Sequence, residues 1–199
     1  MNNRNTTLRL CITALMAALC YVSFTFLQIK IPTPVGYTSF HLGNTFCVLA
    51  AMLLGGLPGG IAGAIGMGIG DLLDPAYVMV APKTIILKLL IGIITGAIAH
   101  RVFHITTLEG KDVKKAAVLS AAGGMIFNII GEPVFSYFYY MFLLGNAEKA
   151  VKYLVAARFI TTGINAILAI IIASFIYIAI YPRLKNSGIL KRLSPEKKK

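Results

Sequence analysis

Long apolar stretches dominate this chain and restrict what it can fold into. Residues 40–73 and 84–99 are almost continuously apolar, which is typical of helices that cross a bilayer and need about 20 apolar residues each. The two stretches meet at residues 71–83, a short segment with two carboxylates, a tyrosine, two prolines and a lysine. A polar segment of this kind in so apolar a chain predicts a functional site at a membrane boundary.

The composition supports a membrane protein. The chain of 199 residues is 57% hydrophobic and 13% charged, whereas a soluble domain has a larger share of charged residues. We predict an all-α membrane protein, a six-transmembrane-helix bundle that forms a single integral membrane domain over residues 1–199. The predicted spans are residues 8–26, 40–54, 59–73, 83–103, 116–144 and 153–181, followed by a basic tail at 182–199. The second and third spans are short, which implies thin or partly re-entrant spans.

The distribution of basic residues predicts that both termini lie in the cytoplasm. With the N-terminus inside, six spans place the N-terminal arm, the loop at 101–115 and the C-terminal tail on the cytoplasmic side. These segments carry 13 of the 19 lysine and arginine residues, as the positive-inside rule requires. A basic inner surface facing anionic membrane lipid then explains the net charge of +12, and no nucleic-acid partner is needed.

Cysteines, histidines and glycines give no catalytic or metal-binding pattern. The three cysteines lie within predicted spans without metal-ligand spacing, and we interpret them as packing residues. The three histidines are too scattered for a metal site, so no metal is predicted. Small residues repeat at a spacing of four, which allows close helix packing; the glycine pairs are Gly59 and Gly63, Gly66 and Gly70, and Gly92 and Gly96.

Polar side chains within the predicted spans converge on the outer half of the bundle. A charge at the centre of a membrane helix costs about 2.5–3.5 kcal/mol on insertion scales, so such residues persist mainly where they line a cavity or pair with each other. Tyr137 is a further candidate, because it lies just beyond Glu132 and its ring could stack on a flat substrate. The candidate substrate-binding residues are His41, Asn44, Asp71, Lys83, Lys88, Asn128, Glu132, Tyr137, Arg158 and Asn165.

Structural pairing is the alternative interpretation of these residues. Glu132 could pair with Arg158, and Asp71 with Lys88, as buried ion pairs that hold helices together. Lys83 could instead extend its ammonium group to the membrane surface. The sequence leaves ligand contact and pairing open for each charged residue.

Several features together resemble a known family of membrane proteins. The first helix carries an Ala-x-x-x-Ala pair, Ala14 and Ala18, after a short basic arm, and a proline-rich outer loop follows it. The second predicted span opens with Phe-His-Leu-Gly-Asn at 40–44, and an Ala-Pro-Lys-Thr stretch occupies 81–84. With six predicted spans in a chain of this length, the sequence resembles the substrate-binding S components of energy-coupling factor (ECF) vitamin importers over about residues 8–180.

The resemblance implies a protein of the prokaryotic plasma membrane that captures a vitamin or precursor and is not an enzyme. It implies a transmembrane coupling subunit, on which Ala14 and Ala18 would dock, and two ATPase subunits. The chain has no Gly-x-x-x-x-Gly-Lys-Ser/Thr loop, so ATP would be used only by those partners and no cofactor is expected. The implied substrate is a pyrimidine- or pyridine-type vitamin such as hydroxymethylpyrimidine or pyridoxine, with riboflavin also possible.

We therefore expect binding without chemistry, in an outer cavity between the second, fourth, fifth and sixth spans that the loop at 28–39 covers. Two other classes of membrane protein are the alternatives. A free-standing secondary transporter would usually show inverted repeats, and only the turn at 55–60 suggests one. A small membrane enzyme would need a nucleophile, a base or a metal set, and no common motif for one occurs.

Overall fold

The computed structural model describes residues 3–194, and within this range the chain is predominantly helical. Its elements are α1 Asn3–Thr25, β1 Ile29–Thr33, β2 Gly36–Phe40, α2 Gly43–Leu54, α3 Gly56–Leu73, α4 Ala81–Ala97, α5 Gly110–Phe138, α6 Glu148–Asn186 and α7 Ile189–Leu193. A single 3-10 turn, Val78–Val80, precedes α4. One π-helical turn continues α4 at Ile98–Val102, and another continues α5 at Tyr139–Leu143.

Five helices in the described chain are long and apolar enough to cross a membrane. They are Arg4–Thr25, Gly56–Leu73, Val78–Val102, Gly110–Leu143 and Glu148–Asn186. The second predicted span is instead α2, a helix of 12 residues, about 18 Å long at the rise of an α-helix. That length is well below the roughly 30 Å of a hydrocarbon core. The count of six spans and the side on which the termini lie therefore stay predictions.

Helix α2 is short because the chain around it adopts other conformations. Residues 40–42, predicted to begin the span, instead end strand β2 and connect it to the helix. At the other end Gly55 has a φ of 96°, a conformation that strongly favours glycine, and α3 begins directly after it. Eleven of the 12 residues of α2 are buried, because α1, α3, α4 and α6 pack around it.

Glycines bring helices α3 and α4 into backbone contact. A Cβ built on Gly92 would overlap the backbone of Gly60, and one built on Gly96 would overlap the backbone of Gly56. On another face of α3, a Cβ on Gly66 would overlap the carbonyl oxygen of Ala17 in α1. The interpretation of the glycine pairs as packing surfaces is thus confirmed for α3 and α4, the two helices that carry Asp71, Lys83 and Lys88.

The outer loop predicted at 28–39 is a β-hairpin. Strands β1 and β2 pair antiparallel with Ile29 opposite Phe40 and Thr33 opposite Gly36. The hairpin connects α1 to α2, and both of its strands contact α6. It closes one end of the helix bundle.

The opposite end of the bundle is held by an arginine in the first helix. Arg9 donates one hydrogen bond to the carbonyl oxygen of Leu54 at 3.1 Å and another to that of Ser194 at 3.3 Å. Helix α6 continues through Pro182 to Asn186, so the segment predicted as a tail from 182 onward begins as helix. The last residues of that tail, 195–199, lie outside the described residues.

We predict that Gly92→Ala destabilises the protein, because the added methyl group forces α3 and α4 apart. Overpacking of this kind costs about 1–3 kcal/mol. Thermal unfolding of the detergent-solubilised protein measures the change. Gly163→Ala is the matched control, since a Cβ at Gly163 in α6 meets no atom within 4 Å. Equal unfolding temperatures for the two variants would contradict the close packing of these helices.

Candidate binding site

A polar cavity lies beneath the hairpin, between helices α2 to α6. It encloses about 60 Å³. Its wall is formed by Phe24, Tyr37, Thr38, Ser39, His41, Asn44, Asp71, Tyr77, Val80, Lys83, Thr84, Lys88, Asn128, Glu132, Arg158, Thr161, Thr162 and Asn165. Only Phe24 and Val80 have wholly apolar side chains. A ligand here would meet hydrogen-bonding groups and charges of both signs.

The structure brings nine of the ten predicted binding residues to this one cavity. They are His41, Asn44, Asp71, Lys83, Lys88, Asn128, Glu132, Arg158 and Asn165. Tyr137 does not line it, and its hydroxyl lies 3.5 Å from a carboxylate oxygen of Glu148 in an exposed position. The aromatic rings in the wall are those of Tyr37, Tyr77 and Phe24 instead.

Glu132 in α5 is the centre of a buried charge cluster. Its Oε1 accepts hydrogen bonds from Lys83 Nζ, from Arg158 Nη1 at 2.8 Å and from Ser136 Oγ at 3.2 Å. Lys83 and Arg158 are only 3% and 4% exposed, so Lys83 does not extend to the membrane surface. The predicted pairing of Glu132 with Arg158 is confirmed, and one carboxylate joins α4, α5 and α6.

Arg158 also connects this cluster to the hairpin. Its Nη2 donates to the carbonyl oxygen of Tyr37 in β2 at 3.1 Å and to the hydroxyl of Tyr140 at 3.2 Å. Its guanidinium carbon lies 5.1 Å from the centroid of the Tyr140 ring, a distance at which a cation–π attraction operates. Arg158 therefore neutralises Glu132 and also holds the hairpin over the cavity.

Two more residues of α6 on the same face hold strand β2. Asn165 donates to the carbonyl oxygen of Ser39 at 2.9 Å and accepts from the backbone N–H of His41 at 3.1 Å. The hydroxyl groups of Thr38 and Thr161 lie 2.6 Å apart. These bonds fix the hairpin edge that faces the cavity. The sequence placed Asn165 near the site but gave no sign that it binds backbone.

An ion pair outside the membrane-spanning segments fastens the other strand. Lys30 in β1 lies 2.5 Å from Asp74, in the connection between α3 and α4. Partial burial raises the pKa of Asp74, but hydrogen bonds from Lys30 and from the N–H of Ala76 outweigh it and hold that pKa below its usual value. The pair therefore persists into mildly acidic solution.

His41 contributes a neutral ring to the cavity. Burial, and to a smaller extent the charge of Lys88, lowers the pKa of His41 to about 3. Its Nδ1 lies 3.2 Å from the backbone nitrogen of Gly43 and accepts that N–H. In a neutral imidazole the other nitrogen then carries the proton, so His41 is a hydrogen-bond donor through Nε2.

Asp71 and Lys88 line the cavity, and neither forms an ion pair with a residue that the structure describes. The predicted ion pair between them is not formed, and the Lys88 side chain makes no hydrogen bond or ion pair anywhere in residues 3–194. Four buried oxygens at the site also have no hydrogen-bond partner within that range: Asp71 Oδ2, Asn44 Oδ1, Asn128 Oδ1 and the hydroxyl oxygen of Tyr77. Buried polar atoms are normally hydrogen-bonded, and these are available to a ligand.

The described residues bring together no group of three or more side chains suited to a metal ion. The residues that sequence reasoning missed are mainly Tyr37, Thr38 and Ser39 of the hairpin and Tyr77 and Thr84 near α4. The sequence predicts that the loop at 28–39 covers the cavity, but nothing in it indicates that this loop forms a hairpin or which of its residues line the cavity. Tyr77 lies within the polar segment at 71–83 that the sequence singled out, and Thr84 directly follows it.

The predicted docking residues are on α1 and do not line the cavity. Ala14 and Ala18 are exposed and one helical turn apart, so they share a face. Small residues on such a face let another helix approach closely within a membrane.

Comparison with known proteins gives one family. The family described as ECF-type riboflavin transporter, S component, matches residues 4–182. Neither a curated protein nor a solved structure matches the chain.

The depressed pKa of His41 predicts a loss of stability in acid. Its ordinary pKa is 6.5 and its folded pKa is about 3, so the unfolded state binds more protons between these values. The stability that the neutral ring provides is complete above pH 6.5 and is lost toward pH 3, by about 1.4 kcal/mol per pH unit. We expect the wild-type protein to lose about 2 kcal/mol more than His41→Asn between pH 7.5 and pH 5, measured by denaturation in detergent.

Asparagine keeps a hydrogen-bond acceptor near the N–H of Gly43. The comparison therefore isolates the effect of protonating the His41 ring. His104→Asn is the control, because His104 is exposed with a φ of 48°, which asparagine tolerates. That variant should lose stability in acid as the wild type does. A His41→Asn protein with the same acid loss as the wild type would contradict a neutral ring with a lowered pKa at this position.

Proposed function

The chain belongs to the family of ECF-type riboflavin transporter S components, and we propose that it captures a small heteroaromatic vitamin or precursor in the cavity beneath the hairpin. Membership makes it a substrate-binding subunit of an ECF-type vitamin importer and a multi-pass protein of the cell membrane, not an enzyme. The observation that carries the proposed site is the convergence of nine predicted residues on one cavity.

The polarity of the wall favours a pyrimidine- or pyridine-type substrate, such as hydroxymethylpyrimidine or pyridoxine. The family name refers to riboflavin, whose ring system has a dimethylbenzene edge that gains most from an apolar surface. Here only Phe24 and Val80 offer wholly apolar side chains, and charged or hydrogen-bonding groups surround them. A smaller ring with nitrogen donors and acceptors fits this wall better, and riboflavin is the competing substrate.

In this proposal the wall residues divide into two roles. Glu132, Lys83 and Arg158 neutralise one another and keep the helices and the hairpin in place. The groups left for the ligand are the Nε2–H of His41 and the unpaired atoms of the other wall residues, described above. The ring of Tyr37 or Tyr77 would stack on the substrate.

Entry of the substrate requires the hairpin to move. A cavity of about 60 Å³ holds about four water molecules, which is less than a substituted six-membered ring occupies. The hairpin is attached by a few hydrogen bonds to α6 and by the Lys30–Asp74 ion pair. We propose that these contacts open to admit the ligand and re-form over it.

Delivery would depend on partner subunits. ECF S components function with a transmembrane coupling subunit and ATPase subunits, and we propose that the exposed Ala14 and Ala18 face of α1 docks on the coupling subunit. ATP would be hydrolysed by the ATPase subunits alone, so this chain would need no cofactor of its own.

The substrate is tested by native mass spectrometry and calorimetry on the detergent-purified protein. The panel is hydroxymethylpyrimidine, pyridoxine and riboflavin, and we expect binding of a pyrimidine or pyridine because of the polar wall. Binding of riboflavin alone would overturn the substrate class and leave the capture function intact. Binding of none of the three would contradict capture of this class of vitamin at the cavity.

The docking face is tested by replacing Ala14 and Ala18 together with leucine. We expect substrate binding in detergent to be unchanged, whereas co-purification of the coupling subunit and vitamin uptake by cells should be lost, because the larger side chains prevent close helix contact. The control replaces Ala156 and Ala179 with leucine, since both are exposed on α6. If the α1 variant keeps its partner and its uptake, the coupling subunit does not dock there.

A further inference from the structure

Two side chains of opposite charge in the cavity wall form no ion pair with any residue that the structure describes. Asp71 at the end of α3 is 2% exposed and Lys88 in α4 is 6% exposed, and both line the cavity. Neither joins the other or any further residue in an ion pair within the described part of the chain. Both lie in helices long enough to span the membrane.

Such charges are not expected to remain unneutralised inside a membrane protein. Intramembrane charges either pair with each other or line a site that binds a ligand or ion. Lys83, the other lysine whose charge acts on the Asp71 carboxyl group, is already bound by Glu132 and Ser136. The Glu132 carboxylate is therefore neutralised without Asp71 and Lys88. The side chains of these two residues are available to bind a ligand.

The buried oxygens without a hydrogen-bond partner indicate which functional groups a ligand must carry. Asp71 Oδ2, Asn44 Oδ1 and Asn128 Oδ1 are buried acceptors without a donor, whereas the Lys88 ammonium group can only donate. A ligand that satisfies both kinds of atom needs N–H donors on one side and an acceptor or anionic atom on another. A purely apolar ring, or one with acceptors only, would leave the three oxygens unsatisfied.

The two charges face the cavity from neighbouring helices. The hydroxyl of Thr84 lies within hydrogen-bonding reach of the Asp71 carboxyl group, but Asp71 Oδ2 has no partner among the described residues. Thr84 precedes Lys88 by one helical turn on the same face of α4. Asp71 and Lys88 therefore border one cavity, and a single small ring in it can meet both side chains.

We propose that the substrate bridges Asp71 and Lys88: a ring N–H or amino group donates to Asp71 Oδ2, and an acceptor or anionic oxygen or nitrogen of the same ring accepts from Lys88 Nζ. This inference rests on the proposed function and names the class of substrate, a six-membered nitrogen heterocycle that carries both kinds of group. Aminopyrimidines meet this requirement, and so do hydroxypyridines in their zwitterionic form.

Calorimetric titration of ligand pairs into the wild-type protein tests the bridge without any mutation. One pair is hydroxymethylpyrimidine and its analogue without the amino group, and the other is pyridoxine and its 3-deoxy analogue. Removing the donor or the acceptor should weaken binding about ten- to hundredfold, as expected for a lost hydrogen bond to a charged group. If riboflavin is the ring that binds, 3-methylriboflavin is the analogue without the imide N–H.

Variants then assign each ligand group to its residue. The loss of affinity caused by removing the ligand's donor should disappear in Asp71→Leu, which has no acceptor, and that caused by removing its acceptor should disappear in Lys88→Met, which has no donor. Lys149→Gln, an exposed change outside the cavity, should keep both losses. Thermal unfolding of each variant confirms that it is folded.

The possible outcomes separate the bridge from the proposed function. The bridge is wrong if the wild-type protein binds a ring with an affinity within about threefold of its affinity for the analogues. It is also wrong if both variants respond to the analogues as the wild type does. In either case the proposal of capture in the cavity stands. If the wild-type protein binds no ring of the panel, the capture proposal and the bridge fail together.

Discussion

The arrangement of the cavity depends on one carboxylate shared by two cations. Glu132 accepts from Lys83 and from Arg158, and so connects three helices at the level of the site. Removing one partner of a buried pair costs about 3–5 kcal/mol, because the other charge is left uncompensated. Since Arg158 also binds the backbone of β2, the position of the hairpin depends on the same group. The packing of the helices and the closure of the cavity therefore both depend on the charges of Glu132 and Arg158.

Close backbone packing places the remaining charges. Without side chains at Gly92 and Gly96, α4 lies directly against the start of α3. These helices are joined at their other ends by the segment that contains Asp74, so Asp71 and Lys88 are held on neighbouring helices whose distance is fixed by the glycines. The polar wall has a definite shape because the apolar parts of the same helices cannot separate or slide.

Much of the site could be predicted because a charge or an amide within an apolar span has few possible roles. Asn128 and Glu132, and likewise Arg158 and Asn165, are spaced to share a helix face, and the structure brings all four to one cavity. The sequence could not show that Tyr77 lines the cavity whereas Tyr137 does not, since the direction in which each side chain points is set by packing. Nor could it show that Glu132 would occupy Lys83 and Arg158 and leave Asp71 and Lys88 without each other.

The contacts of Arg9 have a consequence for the order in which this protein is built. Its guanidinium group binds Leu54 and also Ser194, a residue 185 positions later in the chain. Because a ribosome makes the chain from its N-terminus, α1 enters the membrane long before its second partner exists. That corner of the bundle can close only after residue 194 has been synthesised. Until then one of the two carbonyl partners of Arg9 is missing, and the N-terminal end of α1 lacks that contact.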